Sequence, residues 1–504
     1  MNILGLIEVS NTLLFVVCII VALYIYLTWT HSIWSSQGIK GPTPYPVIGT
    51  LLQNLKMGLP MGDKAIYDKF ADEKVVGLYD GRKPNLMVKD AELLKKVLVK
   101  DFQYFINRRD MGGLELGKEF KRMLTGLKND EWKTARSIIS PTFSSGKIKR
   151  MVAQINASNN GLLKVLEEKA AADEMFEIKQ NLADCTMNMI ASVAFGIKMD
   201  GDSESDKELR EQFATISGRF SNIPKRRIFV IIVASILPVF NPIINYFKLA
   251  HMEDGTVEFY KEILEQAMAN RQSDTSKHTD FLQLMIKAQS EVDDAKSFTN
   301  DDILGNSMLF FLAGYETVST TLMWVIYNMS IHQEEQEKVY EEVMEAVGNE
   351  DELTYDMLSQ MTYLEMFIEE SMRIFPPASI LERAVNEDVT IDGINFPKNA
   401  TVTVPVIALH HDPKIWPEPK KFIPERFTAE EKAKRNPYYY QPFGLGPRNC
   451  VAMRLAQTEV KLCIAKMVKS FKILPCEKTE DPIEIVKSGA MHPKNGMFIK
   501  VAKR

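Results

Sequence analysis

The chain is short of cysteine, of net charge and of repetition, and each shortage removes a class of protein. Five cysteines in 504 residues, Cys18, Cys185, Cys450, Cys463 and Cys476, are too few for a disulfide framework, and their odd number suits a reducing compartment. No two of them stand as Cys-x-x-Cys, which removes the usual zinc and iron–sulfur ligand pairs. A formal net charge of −5 provides no concentrated basic face for nucleic acid. There is no low-complexity tract and no repeat, and 45% hydrophobic with 25% charged residues is the composition of a globular protein with a full core. The last absence is local: positions 9–39 hold no Lys, Arg, Asp or Glu.

That uncharged stretch is long enough to span a bilayer, which takes roughly 20 residues. A cleaved signal peptide would begin basic and end in small residues, whereas the only early charge is Glu8 and the apolar run closes on Trp29 and Trp34. Residues 1–34 are therefore expected to be a retained membrane anchor. Positive charges follow at Lys40 and Lys56, which places the remainder on the cytosolic side and leaves the sequons at Asn156, Asn328 and Asn399 unused. Residues 41–46, Gly-Pro-Thr-Pro-Tyr-Pro, form an extended, semi-rigid spacer, giving a hinge over 35–50 and one catalytic body over 51–504. Hairpins are expected over 75–88, with turns at Asp80-Gly81 and Pro84-Asn85, and over 389–406, with a turn at Asp392-Gly393. The polar residues 272–279 read as a surface connection. The remaining long segments are helical in period, so the fold class is mainly α with small β-sheets, plus an N-terminal transmembrane helix.

What the chain does have is concentrated at residues 443–452, Phe-Gly-Leu-Gly-Pro-Arg-Asn-Cys-Val-Ala. Gly444, Gly446 and Pro447 force a tight loop that can lie close to something flat. A helical pattern follows, so Cys450 sits near the positive end of a helix dipole with Arg448 beside it, and both favour the thiolate. A lone soft ligand of this kind suits a haem iron. Through Phe443, Gly446, Arg448 and Cys450 the stretch resembles the haem-binding signature of the cytochrome P450 monooxygenases, departing at Ala452, where glycine is usual.

Other motifs recur in that family's order. Trp132 and Arg136 share one helix face at i and i+4. Thr299-Asn300-Asp301-Asp302 opens a long helix with a hydroxyl cap and early acids. Inside it stands Phe310-Phe311-Leu312-Ala313-Gly314-Tyr315-Glu316-Thr317, whose mid-helix Gly314 costs about 1 kcal/mol against alanine and so requires a reason. Glu370 and Arg373, then Pro424-Glu425-Arg426-Phe427, follow.

The resemblance implies roles for these residues. Cys450 would ligate the iron of heme b, with Phe443 and Ala313 beside the ring and Arg108, Trp132, Arg136, Arg383 and Arg448 on its propionates. Ala313 and Gly314 would leave room for O2, while Thr317 and Glu316 deliver protons. Glu370, Arg373 and Arg426 would form a buried ion network. Matching positions give Met111, Phe310, Phe311 and Ala378 as substrate contacts, followed by Ile380, Leu381, Ala490 and Met491. Within the family the chain is most like the animal microsomal enzymes that oxidise drugs and steroids. The implied activity inserts one oxygen atom of O2 into a lipophilic xenobiotic, steroid or fatty acid at the endoplasmic reticulum membrane. Electrons would come from NADPH through NADPH-cytochrome P450 reductase, with cytochrome b5 as a second donor. Lys128, Lys133, Lys147 and Lys149 offer a cationic patch to an acidic flavoprotein. Residues 228–240, behind Lys225, Arg226 and Arg227, read as a segment dipping into the bilayer. Two rival activities share these residues: rearrangement of a peroxide substrate without O2, and haem-based ligand sensing without catalysis.

Overall fold

The computed structural model describes residues 2–3, 7–8, 11–109, 114–197, 199, 204–221, 224–251, 255–272, 280–291, 298–486 and 491–504. Met111, Ala490 and nearly all of the 272–279 connection lie outside them. The chain divides into two compact units.

The first unit comprises Met1–Leu114, Arg226–Ala250 and Ile380–Ala408. It begins with α1 (Asn11–Thr28), an apolar helix with no buried residue, a candidate membrane span. The residues after it do not hang as a free spacer. Trp34 is fully buried, its Nε1–H donating to the Leu78 carbonyl at 3.1 Å. Gly77 is glycine because a Cβ there would lie 2.7 Å from Trp34 Cβ, and the Lys40 carbonyl accepts from Gly77 N at 2.9 Å. The aromatic end of the expected anchor thus belongs to the packed body.

The sheet of this unit runs β1-β2-β6-β3, from β1 (Val75–Asp80), β2 (Lys83–Val88), β3 (Leu381–Ala384) and β6 (Thr401–Val404). β1 and β2 form the expected hairpin, turning at Gly81 with φ 62°. Pro84 and Asn85 are not a second turn. The Asp-Gly pair already reverses the chain, so both fall in the return strand, where Asn85 Oδ1 accepts from Thr403 at 2.9 Å. β4 (Val389–Ile391) and β5 (Ile394–Phe396) pair through Asp392 and Gly393 at φ 52° and 78°, the left-handed pair of a tight hairpin. The next strand, β6, leaves that hairpin and pairs in parallel with β2. Residues 226–249 form helices around a break at Pro238 and expose Phe229, Val239, Phe240, Ile243, Tyr246 and Phe247.

The second unit, Glu115–Lys225, His251–Ser379 and Leu409–Arg504, is helical. Its elements include α2 (Asn129–Ile139), α3 (Ser145–Ala171), α4 (Lys179–Phe195), α5 (Asn300–Ile331), α6 (Thr362–Ile374) and α7 (Met453–Ser470). A small sheet joins β7 (Phe471–Leu474), β8 (Phe498–Lys503) and the short strand Phe176–Glu177. α5 packs against α4, α6 and α7. It starts at a capping box in which Thr299 Oγ1 accepts from Asp302 N and the Asp302 carboxylate accepts from Thr299 N, the capped start its sequence predicts. It is apolar and long enough to span a membrane, yet 61% of that window is buried inside the protein, so it is a core helix. Asn156 and Asn328 are buried too, which removes both as glycosylation acceptors.

Candidate active site

The cysteine loop is shaped by its glycines. Gly444 and Gly446 adopt φ 69° and 75°, left-handed values that a side chain disfavours, and Cys450 N closes the loop by donating to the Phe443 carbonyl at 2.9 Å. α7 begins three residues later, with Ala452 as its first cap. Cys450 is exposed in this protein, although a cysteine ordinarily prefers burial. The loop is tied down by arginines. Arg448 donates to the carbonyls of Leu124 (3.2 Å) and Leu127 (2.7 Å), and its guanidinium lies 4.2 Å over the buried Trp132 ring. Arg136 forks onto Asn449, reaching its carbonyl at 3.0 Å and its Oδ1 at 2.8 Å. Trp132 and Arg136, which share one helix face, therefore both bear on the loop, Trp132 through Arg448 and Arg136 through Asn449.

Behind the loop region stands the ion network. Glu370 and Arg373 are wholly buried, bonded at 2.6 and 2.8 Å, and Glu370 also accepts from Ile423 N at 3.0 Å. Arg426 Nε lies 3.3 Å from Glu370 Oε1, close enough for an ion pair but not aligned for a hydrogen bond. The structure joins all three residues.

The middle of α5 is the second open surface. Its flanks are buried, yet Ala313 and Thr317 are exposed and Leu309, Leu312 and Glu316 are partly so. The spacing 309, 312, 313, 316, 317 is one helical stripe. A largely buried helix that opens one stripe in its middle leaves that stripe accessible to a ligand. Thr317 Oγ1 donates to the Ala313 carbonyl at 2.6 Å, and Glu316 Oε1 lies 3.2 Å from His492 Nε2.

Two expectations for α5 change. Gly314 does not face the open stripe: a Cβ there would lie 2.8 Å from Ile190 Cδ1, so the glycine lets α4 pack against α5. Phe310 and Phe311 are not on the stripe either. Phe311 stacks 4.2 Å from Phe195 and Phe310 packs 4.0 Å from Phe281, both buried among helices. Leu309 and Leu312 take the open positions. Helical phase alone would have shown this for Phe311, about 200° round the helix from 313, whereas Phe310, seven residues before 317, shares that edge of the helix and is buried by its packing on Phe143 and Phe281. Met491 is buried with its carbonyl accepting from Trp324 Nε1 at 2.9 Å, and Ala378 is half-buried. His492, which the sequence reading passed over, shows only in three dimensions.

In the first unit, Ile380 and Leu381 are half-buried, and Ile380 lines a small cavity with Asp63, Asp80, Arg109 and Glu382. Arg383 is buried with Nη1 donating to the Glu382 carbonyl and Nε lacking an acceptor. Burial, with the like charge of Arg108 added, pulls it down to about 10, so this side chain suits an anionic ligand.

Among the described residues, no three of His, Cys, Asp and Glu converge to hold a metal. A metal held by this protein's Cys450 would need its other ligands from a prosthetic group. An exposed single thiol behind a two-glycine turn and an internal helix with an open small-residue stripe, both in the second unit, fit a haem. Fold and site together define a haem-thiolate enzyme.

Comparison with known proteins agrees. The family model for cytochrome P450 matches residues 39–501. Cytochrome P450 3A41 of Mus musculus is 35% identical, over 100% of this chain and 99% of its own. Cytochrome P450 3A11 of Mus musculus is 36% identical over 96% and 95%, and cytochrome P450 3A29 of Sus scrofa 35% over 96% and 95%. The chain belongs to the cytochrome P450 family: it is a monooxygenase that carries heme b.

Proposed function

We propose that this enzyme inserts one atom of O2 into lipophilic drugs, steroids or fatty acids, with electrons passed from NADPH by a flavoprotein reductase. The observation that carries the reading is the open stripe of α5, where small, apolar and proton-handling residues alternate on one helix face. The haem, held through Cys450, supplies the activation of O2 when bound. Trp132, Arg136 and Arg448 would partner its acidic groups. In the first unit, Arg383 would suit an anionic group by the same chemistry. Ala313 would leave room for O2 beside the haem. Leu309 and Leu312 give substrate an apolar wall, so orientation comes from shape. Thr317, fixed by the Ala313 carbonyl, presents its hydroxyl on the open stripe, and Glu316 passes it protons from solvent.

The exposed apolar helices at 226–249 and α1 support attachment to the endoplasmic reticulum membrane, with the body cytosolic behind an anchor and hinge. Reductase docking is supported at the N-terminal end of α3, where Lys147 lies with Arg150 and Lys287. Lys133 and Lys149 contribute less, since each already pairs with an acid, Asp130 at 2.9 Å and Asp356 at 2.6 Å. Cytochrome b5 is the second donor for that face.

The test is reconstitution with reductase, NADPH and a panel of lipophilic compounds, with oxygenated product as readout. Product formed only with O2, together with loss of the thiolate-type carbon monoxide spectrum in Cys450→Ala, is the expected result. Turnover of a hydroperoxide without NADPH, and none with it, would replace this reading with the isomerase one.

A further inference from the structure

His492 lies outside every motif above, yet it is the residue that reaches Glu316. Its Nε2 is 3.2 Å from Glu316 Oε1, with the two side chains 18% and 29% exposed. The other ring nitrogen, Nδ1, is buried without a partner. A proton on Nδ1 would be a buried donor with nothing to accept it, which is costly. Nε2 is therefore the ring nitrogen that donates, and the Glu316 carboxylate is its acceptor.

The ring is not placed by chance. The His492 carbonyl accepts from Val486 N at 2.9 Å, and Pro493 bridges to Ile485. The neighbouring Met491 carbonyl accepts from Trp324 Nε1 at 2.9 Å, and Trp324 itself is stacked on Phe375 at 3.8 Å. Trp324 and Glu316 stand eight residues apart on α5, about two turns of helix. The segment is thus pinned to α5 at one point by a backbone acceptor and at another by the imidazole.

We propose that His492 is a positioning residue for proton delivery: its Nε2–H holds the Glu316 carboxylate in the rotamer that serves Thr317. The group required is one N–H donor at the reach of Nε2, not a charge and not a ring. A glutamine places its amide nitrogen at nearly that reach, whereas leucine fills the space without a donor. This inference rests on the monooxygenase reading, in which Glu316 and Thr317 handle protons.

The experiment compares His492→Leu, His492→Gln and Thr317→Ala in the full-length holoenzyme with one reporter substrate. Two readouts are taken: the ratio of hydrogen peroxide released to product formed, and the infrared C–O stretch of the ferrous carbon monoxide complex, which senses polar groups facing the ligand without any turnover. His492→Leu is expected to raise the peroxide ratio roughly fivefold, the scale of one lost hydrogen bond, and to broaden or move the C–O band. His492→Gln is expected to restore both. Unchanged ratio and band in His492→Leu overturn the proposal, as does a folded His492→Gln that behaves like His492→Leu. Should His492→Leu fail to load haem, His492→Gln decides against Glu316→Ala: values near the parent support a donor role, and values matching Glu316→Ala refute it. If Thr317→Ala leaves the ratio untouched, the monooxygenase reading falls; if only the His492 variants leave it untouched, the inference alone falls.

Discussion

Glu370 sits at zero exposure between two guanidinium groups, and Arg373 also donates to the His410 carbonyl at 2.9 Å. Replacing Glu370 with alanine leaves Arg373 charged and buried without its counter-ion, a loss of about 3–5 kcal/mol. Thermal unfolding of Glu370→Ala is expected to show that loss, with haem released at lower temperature. The pair of Glu370 and Arg373 was legible as opposite charges three residues apart, whereas its burial and the third member, Arg426, were expected only from the family resemblance. Gly314 was half legible: its cost in mid-helix announced a close approach, but which neighbour approached could not be read from one segment. Since a Cβ there meets Ile190 of α4 and no open space, Gly314→Ala is expected to destabilise by about 1–3 kcal/mol, and adding Ile190→Ala to recover part of it. Recovery is measured by a double-mutant cycle; a Gly314→Ala protein as stable as its parent would sink the packing account.

Between elements, the helix Leu59–Lys69 brings Asp63 against the sheet, beside Asp80 of β1 and Glu382 of β3. Arg109 answers the cluster, donating to Glu382 Oε1 at 2.9 Å and lying 3.3 Å from Asp80, while Asn54 Nδ2 donates to Asp63 at 2.9 Å. Burial, with Asp80 and Glu382 adding to it, pushes Asp63 up to about 7. A carboxyl raised in the folded state keeps a proton that the unfolded chain has already released. Its stabilisation is whole below the unfolded value near 4 and is lost as pH rises through about 7. Asp63→Asn, which holds a neutral group there at every pH, is expected to gain on the order of 2 kcal/mol at pH 8 and almost nothing near pH 4. Unfolding midpoints across that range check it; a gain independent of pH refutes the titration. The cluster was illegible in sequence because Asp63, Asp80 and Glu382 come from distant segments. The same holds for the parallel pairing of β2 with β6, whereas both hairpins were legible from their Asp-Gly turns alone.

At the scale of the whole molecule, the anchor boundary has a practical outcome. Composition draws it at residue 34, but Trp34 is 1% exposed beneath Gly77, so the packed body begins before it. Removing residues 1–28 is expected to leave stability unchanged, while removal through 34 strips a buried tryptophan at about 3–5 kcal/mol. The shorter truncation is further expected to keep binding vesicles through the patch around Phe240 and Phe247, and Phe240→Ser with Phe247→Ser to release it. Flotation of the two proteins with lipid measures this directly. The patch was partly legible, since the aliphatic run 228–240 and its cationic rim are contiguous and read as a segment at the bilayer; its continuation through Ile243, Tyr246 and Phe247 was not.

The tether from Arg448 to the Leu124 carbonyl crosses 324 positions of sequence. On the ribosome, the early helices are finished long before the segment that will complete them exists. The carbonyls of Leu124 and Leu127 must wait for an arginine synthesised near the end, and Cys450, the proposed iron ligand, arrives two residues after it. With Cys450 holding the haem as proposed, cofactor capture waits until the polypeptide is almost whole, and a prematurely terminated product lacks the residue that would sequester it.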